Sequence, residues 1–350
     1  MARPPWFFVL LLLLSSITGA SQQRSGAATT VTLDVVVTDK GGGPVRGLTQ
    51  QDFTLLDNKQ PHSQTFFRAV DVAAGTPAPY IEVVLVVDAI NANVLTADRE
   101  REGIRKYLLQ NGGKLPQPVS LVLVSDDPNQ LRSKPSTDGN ALAAQMDQYV
   151  TGLRTLNRSQ GNFGAFDRFR LSLDGLSSLV KYESARPGRK LVIWMSPGWP
   201  LLLNGTTDVT GQNQERLFQS IVALSTQLRE NHITLYNVET RGVADTSPAQ
   251  YYDYQQYLSG VKSANDAYPA ALSLQALAVQ SGGRVLNRSN NLTDAIAAEI
   301  AQSAADASPF YVLSFAAGPS EKANEYHSLQ VKVDKPGLTA RTRTGYYAQP

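Results

Sequence analysis

The middle of the chain alternates between two hydrophobic patterns. One is a short run of consecutive apolar residues rich in Val and Ile, and the other is a stripe of apolar residues at helical spacing. Consecutive apolar runs indicate strands buried on both faces, whereas stripes of period 3.6 indicate amphipathic helices. The sequence therefore predicts β–α units around a mainly parallel sheet, with strands at residues 81–87, 119–124, 191–195, 233–238 and 284–286.

Three helical stripes separate these predicted strands. Asp138 precedes the first stripe and is a suitable N-cap, because its carboxylate can accept a hydrogen bond from a free amide of the first turn. Pro187 and Gly188 follow the second stripe and end that helix. The stripes are Leu142, Met146, Tyr149, Val150 and Leu153; Phe169, Leu173, Leu176 and Val180; and Leu217, Ile221, Leu224 and Leu228.

Both ends of the folded chain show β patterns instead. Residues 29–72 and 309–347 each contain β-branched runs separated by Gly- and Pro-rich turns. Neither segment has enough strands to bury a face alone, so we expect the two to pair into one small β-sandwich. Residues 80–305 would then form a doubly wound α/β domain inserted between them. The predicted terminal strands are 31–37, 53–56, 64–70, 310–315, 326–333 and 338–347.

The first twenty residues have the pattern of a secretory signal peptide. Arg3 gives a positive start, residues 6–14 are apolar, and Thr18-Gly19-Ala20 resembles a cleavage site. The apolar run is shorter than the roughly 20 residues that a transmembrane helix needs. We therefore expect residues 1–20 to be a signal peptide and 21–28 a polar linker. The mature protein would be exported, periplasmic or extracellular, and without a membrane span.

Composition excludes several classes of function. The 350 residues contain 32 Lys plus Arg against 30 Asp plus Glu, without a basic block, so no electrostatic footprint for nucleic acid is present. There is no cysteine, which excludes a thiolate nucleophile and a cysteine-ligated zinc. The chain has three histidines, and it contains no His-Glu-x-x-His, Gly-x-Ser-x-Gly or Gly-x-x-x-x-Gly-Lys motif. We therefore expect a folded protein that is not an enzyme.

Several stretches resemble a known family. The α/β part is similar to a von Willebrand factor type A domain, and the whole layout resembles the VWFA-related proteins of Acidobacteria. The resemblance covers nearly all of the mature chain and implies a Rossmann-like domain that binds other proteins. It is carried by LDVVVTDKGGGPVRGLTQQDFTLLDN, EVVLVVDAIN, GRKLVIWMSPG, ITLYNVETRG, LQALAVQSGGRVL, YVLSF and VKVDKPGLTARTRTGYYA.

The family often holds a divalent cation at the carboxyl ends of the strands. Its pattern is an Asp-x-Ser-x-Ser loop with a Thr and an Asp from other loops, a set of oxygens that suits Mg²⁺. Asp88 matches the first Asp. Ile90 and Ala92 occupy the two serine positions, Pro197 replaces the later Asp, and residues 157–166 offer no clear match for the Thr.

The resemblance therefore implies a degenerate metal site. Asp88 would be its sole carboxylate, and Asn91 and Ser196 could supply neutral oxygens. Two interpretations remain open: a weak Mg²⁺ site, or a carboxylate that accepts backbone N–H bonds and closes the strand.

Aromatic residues near the same edge suggest a surface for a protein partner. Tyr251, Tyr254 and Tyr257 follow the strand 233–238, and Trp199 follows the strand 191–195. Tyrosine and tryptophan are enriched at interfaces, so we expect these four side chains to be partner anchors. The predicted function is an exported adhesion or interaction module. The alternatives are a Mg²⁺-dependent ligand-binding domain and a structural scaffold of the cell envelope.

Overall fold

The computed structural model describes residues 29–75, 79–125, 132–150, 162–200, 211–240, 254–286, 292–317, 320 and 322–348. The predicted signal peptide and linker at 1–28 lie outside these ranges. Within the described residues, no helix is both long and apolar enough to cross a membrane.

The described residues form three β-sheets with flanking helices. In chain order the strands are β1 (Thr30–Thr38), β2 (Phe53–Asp57), β3 (Gln60–His62), β4 (Phe66–Val70), β5 (Ile81–Asp88), β6 (Lys114–Val124), β7 (Ser136–Asp138), β8 (Arg189–Ser196), β9 (Ile233–Glu239), β10 (Val285–Leu286), β11 (Phe310–Ala316), β12 (Glu325–Val333), β13 (Thr339–Arg341) and β14 (Gly345–Ala348). The helices are α1 (Val94–Leu108), α2 (Gly139–Val150), α3 (Asn162–Ser184), α4 (Gly211–Glu230), α5 (Leu274–Gln280) and α6 (Leu292–Ala304).

The central sheet has six strands in the order β10-β9-β8-β5-β6-β7. All neighbouring pairs are parallel except β6 with β7, which runs antiparallel at one edge. Strand β5 is apolar along its length because both of its faces are covered. Val84 and Val86 enter one hydrophobic cluster, while Val83 and Leu85 enter the other. The predicted α/β class with a mainly parallel sheet is therefore confirmed.

Helices cover both faces of this sheet. The cluster that contains Val84 also holds buried side chains of α3, α4 and α5, and the cluster that contains Val83 holds those of α1, α2 and α6. The predicted stripes face inward in both layers, as Met146, Leu176 and Leu228 show. Asp138 caps α2, since its Oδ1 accepts a hydrogen bond of 3.0 Å from the amide of Ala141.

Helices α1 and α6 are not predicted by the apolar pattern of the sequence. Helix α1 is rich in charge, and its buried stripe includes polar or small residues such as Thr96, Glu100 and Gly103. At Gly103 an added Cβ would lie 2.5 Å from a side-chain atom of Ile296, so this glycine allows α1 and α6 to pack closely. An apolar pattern alone does not detect such a helix.

The other two sheets are antiparallel and combine strands from both ends of the chain. Their orders are β13-β1-β11-β4 and β14-β12-β2-β3. Strand β1 pairs with β11 in a register that sets Leu33 opposite Leu313, and β2 pairs with β12 so that Leu55 lies opposite Val331. These four side chains belong to one hydrophobic cluster that both sheets share.

The prediction of a single strand over residues 338–347 is wrong. Residues 338–347 form two short strands, β13 and β14, which belong to different sheets. The chain leaves the first sheet after Arg341, and the amide of Thr344 then donates to the carbonyl of Gln280 at 3.1 Å. This bond connects the segment between β13 and β14 to the end of α5. The two residues are far apart in sequence, so no local sequence pattern indicates their contact.

Ion pairs join the antiparallel sheets to the parallel one. Asp34 on β1 lies 3.3 Å from Nδ1 of His232 and 3.6 Å from Nε of Arg189. Burial disfavours the ionised form of Asp34, but the bond to His232 and the charge of Arg189 still hold its pKa below the usual value. The charged form of Asp34 is therefore the one that this contact stabilises.

Candidate functional site

The candidate site lies at the carboxyl edge, where the parallel strands of the central sheet end. Strand β5 ends there at Asp88, whose side chain is completely buried. The loop that follows β5 turns back over this carboxylate. The amides of Ile90 and Asn91 each donate to Oδ1 of Asp88 at 3.0 Å. Asp88 therefore terminates its strand and orders the loop that leads into α1.

Side chains surround the rest of the carboxylate. Nδ2 of Asn91 lies 3.1 Å from Oδ1 and 2.9 Å from Oδ2 of Asp88. Nε1 of Trp194 donates to Oδ2 at 3.2 Å, and Oγ of Ser196 donates to the same atom at 2.7 Å. Both oxygens of Asp88 thus accept several hydrogen bonds, and the carboxylate links β5 to the neighbouring strand β8.

The three residues predicted as metal ligands do come together, but as a hydrogen-bond network. Asn91 presents its amide nitrogen to Asp88 and donates from the same atom to Oγ of Ser172 at 2.8 Å. Ser196 directs its hydroxyl at the carboxylate while it accepts from the amide of Gly198 at 3.0 Å. A cation at Asp88 would have to displace these donors, because N–H groups cannot ligate a metal.

More acidic residues lie near Asp88. Glu100 on α1 is fully buried and accepts a hydrogen bond of 2.7 Å from Oγ1 of Thr240. Burial, followed by the charges of Asp88 and Glu239, raises the pKa of Glu100 well above its usual value. Burial, with Glu239, raises the pKa of Glu299 to about 8. Within the described residues, no group of three or more His, Asp or Glu could hold a metal ion.

Burial acts on Asp88 itself in the same direction. It raises the pKa of this carboxyl above the usual value, although the hydrogen bonds from Asn91, Ser196 and Trp194 oppose the shift. Burial and like charge therefore disfavour the ionised forms of Glu100 and Glu299, whereas at Asp88 burial is opposed by hydrogen bonds to both carboxylate oxygens.

Sequence reasoning missed part of this network. Trp194 was assigned only to a buried strand, yet its indole nitrogen is a partner of Asp88. Glu100 was missed together with α1. A usable signal was present, because Glu100 occupies a position in the buried stripe Thr96, Gly103, Ile104, Tyr107 and Leu108. An acid at such a position needs a buried partner.

Two of the four predicted aromatic anchors, Trp199 and Tyr254, are buried in the core. Trp199 is 3% exposed and packs edge-on against Trp194, with 5.4 Å between the ring centroids. Tyr254 is 7% exposed, and Tyr257 is half-buried against the same core. The prediction of Trp199 and Tyr254 as partner anchors is wrong, because both rings stabilise the core. Tyr251 lies outside the described residues.

Other apolar side chains are exposed at this edge. Val94 and Leu95 begin α1 directly after the Asp88 loop, and each is 59% exposed. Phe166 is 48% exposed in the second turn of α3. Ser172 of α3 contacts Asn91 at the carboxyl edge, so Phe166, six residues earlier, lies about 9 Å further out along the helix. We call Val94, Leu95 and Phe166 the apolar rim.

The comparisons with known proteins give weak structural similarity alone. No family model matches the sequence, and no curated protein matches it. An aerotolerance-related membrane protein from Bacteroides fragilis is 13% identical over 63% of this chain and 99% of that protein, with a TM-score of 0.33. The PilB minor pilin from Streptococcus sanguinis is 13% identical over 66% of this chain and 62% of its own, at 0.37.

A third similar structure is the manganese-loaded TRAP protein of Plasmodium vivax. It is 9% identical over 83% of this chain and 98% of its own, with a TM-score of 0.33. Similarity at this level does not extend to function.

Proposed function

We propose that this protein is an exported, non-enzymatic module for adhesion or protein–protein interaction. In this proposal a doubly wound α/β domain of residues 80–305 resembles a von Willebrand factor type A domain. Residues 29–72 and 309–347 form the β-sandwich that carries it. Export rests on the signal-peptide pattern of residues 1–20. The partner is another protein, and it docks at the carboxyl edge of the central sheet.

The apolar rim is the observation that carries this proposal. Val94 and Leu95 begin a helix on one face of the sheet and Phe166 lies on a helix of the other face, so a partner that covers the carboxyl edge would exclude water from all three. Leu95 and Phe166 are 59% and 48% exposed, respectively. Ligands of open α/β sheets bind at this edge. The rim lies beside a carboxylate already satisfied by protein donors, so we propose that binding needs no metal.

Capture of a partner tests the proposal. The mature protein is used to retain binding proteins from the exported fraction of the source organism, and the affinity of a retained protein is then measured. Leu95→Asp and Phe166→Asp should each weaken binding at least about fivefold, since truncated interface anchors typically cost more than ~1 kcal/mol. EDTA should leave the affinity unchanged.

The matched control is Phe66→Asp. Phe66 is also 48% exposed, but it lies on the edge strand β4 of an antiparallel sheet, away from the apolar rim. This variant should bind normally. Equal weakening in Phe66→Asp and Phe166→Asp would contradict the assigned surface, and loss of binding in EDTA would favour a Mg²⁺-dependent domain instead.

A further inference from the structure

A cavity of about 660 Å³ lies at the end of the central sheet opposite Asp88. Its walls come from the segment after β4, the starts of β5 and β6, and the residues that end α6 and follow it. Val72 and Tyr80 line it and are 49% and 39% exposed, so the cavity opens to solvent between apolar groups. Its volume is in the range of small-molecule sites.

The wall is mainly apolar. Pro79, Leu115, Pro118, Ala304 and Ala307 are among its lining residues. Alanine and proline have no polar side-chain atoms, while Gln110, Asn111, Gln117 and Ser308 add polar groups to the lining. Small-molecule sites typically combine a mainly apolar wall with a few polar groups.

The charged residues in the described lining of the cavity are both cationic. They are Arg46 and Lys114, and the described lining includes no carboxylate. Arg46 is already paired with Asp71, at 2.8 Å between Nε and Oδ2. Lys114 is exposed and makes no ion pair with another described residue. An anionic group at the cavity would therefore find Lys114 available, whereas a cationic group would meet repulsion.

One polar group in the wall lacks a partner. Tyr107 on α1 is 5% exposed, and its hydroxyl has no hydrogen-bond partner within the described part of the chain. Burial raises its pKa to about 12, so the phenol keeps its proton and can donate it in a hydrogen bond.

We propose that this cavity binds an apolar carboxylic acid. The hydrocarbon body occupies the space between Leu115, Ala304 and Ala307, and the carboxylate lies at the rim beside Lys114. The site is separate from the apolar rim at the carboxyl edge and does not depend on the function proposed for that edge.

Isothermal titration calorimetry of the mature protein tests this site. The probes are dodecanoate and 2-naphthoate, which differ in shape but share the carboxylate, with dodecanol and dodecyltrimethylammonium as head-group controls. We expect saturable binding of at least one carboxylate, with a negative heat-capacity change from burial of apolar surface. Dodecyltrimethylammonium should bind more weakly than dodecanoate. Absence of saturable heat with both carboxylates, or equal binding of the cationic probe, would overturn the proposal.

Two variants separate the parts of the site. Lys114→Glu should weaken the carboxylate about fivefold and leave dodecanol unaffected, because an exposed charge pair contributes up to about that factor. Lys59→Glu, at an exposed turn between β2 and β3, should change neither. Ala301→Phe places a ring in the cavity and should abolish binding of the carboxylate and the alcohol. Unchanged binding in Ala301→Phe, with folding verified by circular dichroism, would show that the probes bind elsewhere.

Discussion

Replacement of Asp88 by alanine will lower the free energy of unfolding by about 3 kcal/mol or more. The carboxylate is fully buried and accepts hydrogen bonds from the amides of Ile90 and Asn91 and from the side chains of Trp194 and Ser196. Each bond to a charged acceptor contributes roughly 1.5–3 kcal/mol, and the buried indole nitrogen would lose its partner altogether. The measurement is urea denaturation at neutral pH without divalent cations.

Two variants control this prediction. Asp98→Ala removes a carboxylate from the same region, but the Asp98 side chain is 56% exposed, so the change should stay within about 0.5 kcal/mol. Asp88→Asn keeps the shape and one acceptor and should cost less than Asp88→Ala. If Asp88→Ala were as stable as the wild type, the carboxylate would not be a structural group and a role in ligand binding would be the better explanation.

Asp306→Ala should destabilise the protein by a similar amount, about 3 kcal/mol, through a different network. Asp306 is 3% exposed and lies in the turn after α6. Its Oδ2 accepts from the hydroxyl of Tyr236 at 2.9 Å, from Arg284 at 3.2 Å and from Arg341. Removal of the carboxylate leaves two largely buried guanidinium groups without their counter-charge, which costs more than the loss of an exposed ion pair.

Because Arg341 belongs to β13, this prediction also concerns how the sheets are joined. Hydrogen exchange of β1 and β13 should accelerate in Asp306→Ala, since one of the contacts that connect them to the parallel sheet is lost, while the ion pairs of Asp34 remain. The control is Asp294→Ala, which breaks an ion pair with Lys106 between side chains that are about half exposed and should cost at most about 1 kcal/mol. Equal effects of the two substitutions would contradict a special role for Asp306.

Strands and helices could be predicted from the sequence where burial produces a regular pattern of apolar residues. Strands β5 and β8 are covered on both faces, so their apolar runs predicted a parallel sheet directly. Helix α4 exposes one side, and its stripe Ile221, Leu224 and Leu228 was visible for that reason. In contrast, α1 buries Thr96 and Glu100 beside few apolar residues, and this composition hides its periodicity.

The candidate site was predictable only in part. Asp88, Asn91 and Ser196 were expected close together because strand ends meet at one edge of a parallel sheet. Tertiary contacts decide which atom of each side chain faces its neighbour. In this structure the amide nitrogen of Asn91, and not its oxygen, faces Asp88. The residue type of Trp199 is the same whether its side chain is an exposed interface residue or part of the core, so the sequence alone does not distinguish the two. The edge-on contact between Trp199 and Trp194, which lie five residues apart in sequence, forms only in the folded chain.

Thermal unfolding with and without Mg²⁺ tests the central claim, that Asp88 is a structural carboxylate and the carboxyl edge needs no metal. The wild type and Asp88→Asn are compared in EDTA and in 1 mM Mg²⁺. Since N–H donors of Asn91 and Trp194 occupy the carboxylate, we predict the same Tm for the wild type in both solutions. A site with a Kd of ~10 μM would add about 2.7 kcal/mol at this concentration and raise the Tm by several degrees. Such a rise, present in the wild type and absent in Asp88→Asn, would contradict the claim.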